Sequence, residues 1–243
     1  MNAETIQREY YERTAHLYDT AHAFEEDAHY LALKYISSFI GSLGISTALD
    51  VGCGTGRGIR YLSKKNPNLH LHGIEPVGAL IRQAVSVNSI PAGSITHGFG
   101  HALPFADRSF EATYECGVLH HAKDPKRVVQ EMMRVSTKAI FLSDENRFAH
   151  GSRFVRWGKL FLCKTGLFSG AYRLKTLGKG YRFSEGDGLA YSYSVFDCAD
   201  ALSQWADRVI LIPLDDNKPK SVFQPLLTCF HILLCAVRDR QLG

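Results

Sequence analysis

The sequence predicts an α/β fold, a doubly wound sheet with helices on both faces, from three observations. The apolar run Ala48, Leu49 and Val51 breaks into the alternate glycines Gly52, Gly54 and Gly56 and passes into a helix-like segment at Ile59 to Leu62, the pattern of a strand, a tight turn and a helix start. Leu69-His70-Leu71-His72-Gly73-Ile74 alternates as a half-buried strand does, and a helical stretch follows over about 77–87. Short strands and helices then keep alternating as far as Ser143, which is the order of a parallel sheet with crossover helices.

A chain of 243 residues, 45% of them hydrophobic, can bury one good core. A single domain over 1–243 is expected, with an N-terminal helical segment over 1–45. No apolar run reaches the roughly 20 residues of a membrane helix, and the longest candidate, 226–237, is interrupted by Thr228 and His231. Residues 1–11 are polar and have no apolar stretch of the kind a secretory signal needs. Six cysteines without a C-x-x-C pair indicate neither a zinc cluster nor a disulfide framework, so a cytoplasmic protein is expected. The formal charge of +4 is unevenly spread: nine basic residues and no Asp or Glu lie between Asn146 and Ser184, leaving 19 basic against 24 acidic residues elsewhere.

In chain order, residues 4–40 read as helical, with Phe24, Ala28, Leu31, Tyr35, Ile36 and Phe39 near the 3.6 period and Gly41 as a stop. Alternate glycines let the backbone pass close to a ligand, and the N–H groups of the next helix face anything negative; a nucleotide-like ligand is expected at this turn. Glu75, at the end of the second strand and 23 residues beyond Gly52, is placed to accept hydrogen bonds from two ribose hydroxyls. A third strand near Ser94–His97 and a fourth with its exit over Phe110–Leu119 come next. Asp124 caps a helix with Pro125 at its first position and Val128, Val129, Met132 and Met133 on one face. Strand five, Lys138–Ser143, opens onto Asp144-Glu145-Asn146-Arg147, which either face an acceptor at the strand ends or form a solvated loop. Ser194 with Asp197 forms a capping box for a helix through Trp205. The stretches Arg208–Leu214 and Thr228–Val237 read as two closing strands joined by a polar, proline-containing connection.

The glycine spacing is G-x-G-x-G and not the G-x-G-x-x-G of dinucleotide sites. With Leu49-Asp50-Val51 before it, the stretch resembles motif I of the class I S-adenosylmethionine (SAM)-dependent methyltransferases. Gly98 to Glu111, containing Leu103-Pro104-Phe105 and Ser109-Phe110-Glu111, is similar to the segment that the small-molecule, methyltransferase type 11-like subfamily carries before strand four. Val118-Leu119-His120-His121 and Glu131-Met132-Met133-Arg134-Val135 extend the likeness over Asp50 to Val135. The resemblance implies a Rossmann-like seven-stranded sheet in the order 3-2-1-4-5-7-6 with strand 7 antiparallel, and a substrate cap inserted after strand five, here over 145–193.

The resemblance also implies SAM as cofactor, held by Tyr18, Asp50, Gly52, Cys53, Gly54, Gly56, Glu75, Pro76, Phe99, Gly100 and Cys116. Tyr18, in its Tyr-Asp context, either folds over the cofactor or packs a helix on the sheet. At Phe99 the subfamily usually has an acid on the adenine amino group; a Phe can only stack on the adenine face, leaving the Gly100 backbone as the polar partner. The implied reaction is methyl transfer, aligned by the protein and assisted by deprotonation of the acceptor. His120 and His121, past strand four, are the candidate bases, with a core or capping role as the alternative for each. Nothing fixes His97, His101, His120 and His121 at ligand distance, so no metal is expected. Asp144, Asn146, Arg147 and Arg153 are the candidate acceptor contacts, and the basic, aromatic-rich cap suggests a small anionic or sugar-like acceptor methylated on oxygen. An RNA substrate held by the same cap and a non-catalytic SAM-binding module are the rival readings.

Overall fold

The computed structural model describes residues 3–22, 27–215 and 226–238; Phe24 and most of the connection before the last strand lie outside them. A seven-stranded sheet is built from β1 (Thr47–Val51), β2 (His70–Glu75), β3 (Ile95–His97), β4 (Phe110–Cys116), β5 (Ser136–Glu145), β8 (Arg208–Pro213) and β9 (His231–Val237). Its order is β3-β2-β1-β4-β5-β9-β8. The first five strands pair in parallel, and β9 pairs antiparallel with both β5 and β8. This is the expected order and the expected antiparallel strand, once the two cap strands β6 (Tyr181–Ser184) and β7 (Gly188–Tyr191) are set aside as a separate hairpin.

Period-two patterning sorts the strands onto two cores. Leu49 and Val51 of β1, Ile140 and Leu142 of β5, and Ile232 and Leu234 of β9 face one side, where Val128, Val129, Met132 and Val135 of α6 (Pro125–Val135) and Leu202 of α9 (Ala199–Trp205) cover them. Ala48, Ala139, Phe141, Leu233 and Cys235 face the other, against Leu33, Ile36 and Ile40 of α3 (Ala28–Ser42) and Leu62 of α4 (Arg57–Lys65). Because both faces are covered, the central strands read as near-continuous apolar runs. The remaining helices are α1 (Ala3–Thr14), α2 (Tyr18–His22), α5 (Gly78–Ser86), α7 (Arg153–Lys164) and α8 (Phe168–Lys175).

The caps behave as their residue types dictate. The Asp124 carboxylate accepts from the Arg127 N–H at 3.1 Å with Pro125 at the first helical position, and Ser194 and Asp197 form the full capping box, leading through a 3-10 turn into α9. Four boundaries differ from expectation. The stretch over 4–40 is divided into α1, a 3-10 turn at Ala15–Leu17, α2 and α3. Strand four stops at Cys116, because Gly117 takes a positive φ of 76° and leaves the extended region; Leu119–His121 then form a 3-10 turn. The last strand starts at His231 and not at Thr228. Strand five runs two residues further at each end, so Asp144 and Glu145 belong to the strand, paired with Ile232 and His231 of β9. Polar side chains at a strand end read as loop locally, whereas the ladder partner that keeps them extended comes from the far end of the chain.

Candidate active site

The strand order reverses between β1 and β4, and at the carboxyl ends of β1, β2 and β4 there is a cavity of about 350 Å³, the place where doubly wound sheets bind ligands. Gly52, Glu75 and Cys116 come to it from three strand ends, Pro76, Phe99 and Gly100 from the following loops, and Tyr18 from α2. Seven of the residues named from the sequence thus line one cavity. The glycine turn owes its shape to positive φ values of 75° at Gly52 and 81° at Gly56. A Cβ at Gly52 would lie 2.5 Å from a Val118 methyl, and one at Gly56 2.6 Å from Ile90 Cγ1. Tyr18 lies over the turn, its hydroxyl 3.2 Å from where a Gly54 Cβ would stand, and the neighbouring Asp19 accepts from the Thr55 hydroxyl at 2.5 Å and the Asn88 amide at 2.8 Å. Cover and turn are therefore tied together by side-chain bonds.

Glu75 is buried and its two oxygens each accept one backbone N–H, from Gly54 at 2.9 Å and Val77 at 3.0 Å. Each oxygen keeps a lone pair for a ligand donor. Burial pushes its carboxyl up to about 7 against the pull of those two bonds, so donors supplied by a ligand diol would favour the ionised form. Asp50, one strand over, is likewise raised to about 7 by burial, opposed by the Tyr114 hydroxyl at 2.9 Å and by Arg57. Asp50 and Cys53 line a small annex beneath the turn, shared with Gly52, Tyr18 and Cys116. Phe99 stands at the cavity with its ring near His101, and Gly100 is wedged between Val51 and Val128. Arg134 secures this loop: it donates to the carbonyls of Leu103 at 3.0 Å and Phe105 at 2.8 Å while paired with Glu131 and Asp107.

Gln7, Tyr11 and His121 line the same cavity, the Tyr11 ring 5.6 Å from that of Tyr18. The Nδ1 of His121 is 2.6 Å from the Leu189 carbonyl, which can only accept, so Nδ1 donates there. Its Nε2 lies 3.2 Å from the Tyr11 hydroxyl and 3.4 Å from Asp187 Oδ1. His120 is buried behind it, with Nδ1 2.7 Å from Asp144 Oδ1 and Nε2 3.6 Å from Asp187 Oδ2. Burial opposes a charge on His120, but the two carboxylates outweigh it and hold the imidazole well above its ordinary range. Asp187, for its part, is held below the usual carboxylate range, both histidines overcoming its partial burial. His120, His121 and Asp187 offer ligand atoms within 4.8 Å of one another. His97 instead bonds the Pro76 carbonyl at 3.0 Å.

Residues 49–139 match the family described as a methyltransferase domain. Over that stretch the chain is similar to methyltransferase domains. An O-methyltransferase of Aspergillus sclerotiorum, resE, is 32% identical over 96 residues, 36% of this chain and 34% of its own length. A demethylmenaquinone methyltransferase of Thermotoga maritima is 30% identical over 102 residues, 42% of this chain and 44% of its own. The chain thus spans less than half the length of these curated relatives. The crystal structure of magnesium protoporphyrin IX methyltransferase from Synechocystis PCC 6803 with bound S-adenosylhomocysteine (SAH) superposes with a TM-score of 0.58 at 15% identity, covering 98% of this chain and all of that one, a likeness of fold.

The cap, between β5 and α9, comprises α7, α8 and the β6–β7 hairpin, whose turn carries Asp187 to the histidines and whose backbone is held from α1: Tyr10 donates to the Glu185 carbonyl at 2.7 Å, and the Gln7 side-chain oxygen accepts from Leu189 N–H. A cavity of about 590 Å³ in the cap is lined by Arg147, Lys159, Lys175, Arg182, Tyr172 and Tyr191 among others. The four expected acceptor contacts are placed very differently. Asp144 is fully buried and, besides holding His120, accepts the Leu119 N–H at 2.8 Å. Asn146 is fully buried, donating to the Leu226 and Cys229 carbonyls at 2.7 and 2.9 Å and accepting from Ser194 Oγ at 3.0 Å. Arg147 lines the cap cavities, paired with Asp197 and lying over the Phe168 ring. Arg153 is exposed on the first turn of α7 and lines neither cap cavity. Gln7 and Asp187 were not singled out from sequence, and Tyr11 only as one of the N-terminal tyrosines near Tyr18; the one available signal for Asp187 is that it lies just beyond the acid-free stretch, in Glu185-Gly186-Asp187-Gly188.

Proposed function

We propose that this protein binds SAM in the strand-end cavity and transfers its methyl group to an oxygen of a small anionic acceptor. The observation that carries the reading is one cavity lined by Gly52 of the glycine turn, by Glu75 and by Tyr11 and His121. When bound, SAM supplies an already activated methyl. The chain's part is to bind and align: Glu75 accepts from the ribose hydroxyls, Phe99 and Gly100 flank the adenine, and Tyr18 covers the turn. His121, with Nδ1 committed to Leu189, takes the acceptor proton on Nε2. His120 stays charged between Asp144 and Asp187 and serves to position Asp187. The basic residues of the cap cavity select a negative charge on the acceptor.

The test is SAH release by the purified chain, supplied with SAM and a panel of carboxylated and phosphorylated hydroxy compounds. Turnover that Glu75→Ala and His121→Ala abolish, with SAH binding retained in the latter, supports the reading. SAH binding without turnover across the panel favours the non-catalytic alternative, and no binding removes both.

A further inference from the structure

Of the twelve large hydrophobic side chains exposed among the described residues, eight lie between Phe154 and Phe183. Leu177 is 91% exposed, Phe154 90%, Leu174 82% and Phe161 65%. On α7 the residues Phe154, Trp157 and Phe161 recur at i, i+3 and i+7 and so form one stripe. The inward cations of this helix are used internally: Lys159 donates to the Arg147 and His150 carbonyls at 2.7 and 3.1 Å, and Arg156 to those of Gly151 and Leu227 at 2.8 and 2.9 Å. The exposed ones are not. Arg153 and Lys164 flank the stripe at its two ends, Arg173, Lys175 and Lys179 surround Leu174 and Leu177 at the rims of the cap cavities, and none of these five has an ion-pair partner among the described residues.

An apolar surface of this kind on a water-exposed helix pair marks an interaction site. Its rim identifies the occupant: cations without a single acid from Asn146 to Ser184 complement a dense negative surface, and Phe, Trp and Leu at the centre complement hydrocarbon. Leu167, Leu174 and Leu177 add exposed aliphatic area that base stacking does not use and hydrocarbon does. Basic residues around an aromatic and aliphatic stripe are the chemistry of helices that lie in the interface of an anionic bilayer.

We propose that α7 and α8 dock the protein peripherally on an anionic phospholipid bilayer, with Phe154, Phe161, Leu174 and Leu177 entering the acyl boundary and the surrounding Lys and Arg residues resting on phosphates. The inference goes beyond methyl transfer and holds whatever the acceptor is. It is tested by sedimenting the full chain with phosphatidylcholine vesicles, with and without phosphatidylglycerol. Anionic vesicles are expected to bind it at least about tenfold more strongly than neutral ones, and high salt to weaken the binding. Phe154→Ser with Leu177→Ser, and separately Arg153→Ser with Lys164→Ser, each lower the partition coefficient about tenfold. These side chains are exposed, so the melting temperature stays unchanged and loss of fold is excluded as the cause. Absence of binding to anionic vesicles at low salt overturns the proposal. So does binding that the apolar pair leaves unaltered, or preferential capture of a single-stranded RNA oligonucleotide sensitive to the same substitutions.

Discussion

Replacing Glu75 by Gln changes one oxygen into an NH₂ group and removes the charge, while leaving shape and volume nearly intact. Both oxygens of Glu75 accept backbone N–H groups, at 2.9 and 3.0 Å, so the new amide must set a donor against a donor on one side. Towards the cavity it offers a ribose diol one neutral acceptor in place of two charged ones. A hydrogen bond to a charged group is worth about 1.5–3 kcal/mol, which corresponds to a loss of SAH affinity of roughly 10- to 100-fold. The pH dependence is the sharper signature. The Glu75 carboxyl stands at about 7 in the fold against an ordinary value of 4.5. The folded state therefore holds an extra proton between these values, and Glu75 makes stability fall as pH rises through that window. A diol that donates to the ionised form must displace that proton. SAH affinity in the wild type accordingly rises with pH up to about 7, by at most about tenfold per unit, and levels off above it. Glu75→Gln lacks this slope, whatever protons the ligand itself exchanges. Calorimetric titration of SAH at pH 6, 7 and 8 into both proteins checks it. Binding to Glu75→Gln within threefold of wild type with the same pH profile would refute the ribose assignment.

Three further substitutions probe the supports of the site. Tyr114→Phe removes the hydroxyl that donates to the buried Asp50 carboxylate at 2.9 Å; urea denaturation should record a loss of about 1–3 kcal/mol at pH 8, and less at pH 6, below the raised Asp50 value of about 7. Asn146→Ala strands the Leu226 and Cys229 carbonyls and the Ser194 hydroxyl, costing about 3 kcal/mol; a variant of wild-type stability with only a raised acceptor KM would instead make Asn146 an acceptor contact. Arg134→Lys keeps the charge but not the fork that spans Glu131, Leu103 and Phe105. It should weaken SAH binding several-fold by loosening the loop that carries Phe99 and Gly100, an effect that hydrogen exchange over residues 99–106 would register.

The sheet was legible because each strand carries its own period: β1, β5 and β9 split cleanly between the two cores, and the crossover helices announce themselves through Asp124, Pro125, Ser194 and Asp197. That Gly52 and Glu75 meet in the strand-end cavity was legible for the same reason, since both sit at strand ends whose position follows from those periods, whereas Phe99 and Gly100 were named through the resemblance. The surroundings of His121 were not. His121 meets Gln7 and Tyr11 across 114 and 110 residues of chain, and Leu189 across 68; no local pattern encodes such meetings. Asp144 and Asn146 look like solvated residues beyond a strand, yet the side chains they satisfy come from 24 and 48 residues away, and burial follows from those partners. The basic segment was legible as charge alone. Which of its cations turn inward, as Lys159 does, and which stay outside, as Arg153 does, depends on how α7 and α8 pack.

The most direct test of the account is a crystal structure of the protein with SAH. The account predicts the ribose hydroxyls within hydrogen-bond distance, about 3 Å, of the Glu75 carboxylate, the adenine beside Phe99 and Gly100, and the sulfur directed along the cavity towards His121. SAH bound elsewhere, or seated in the cavity with its ribose away from Glu75, would contradict it.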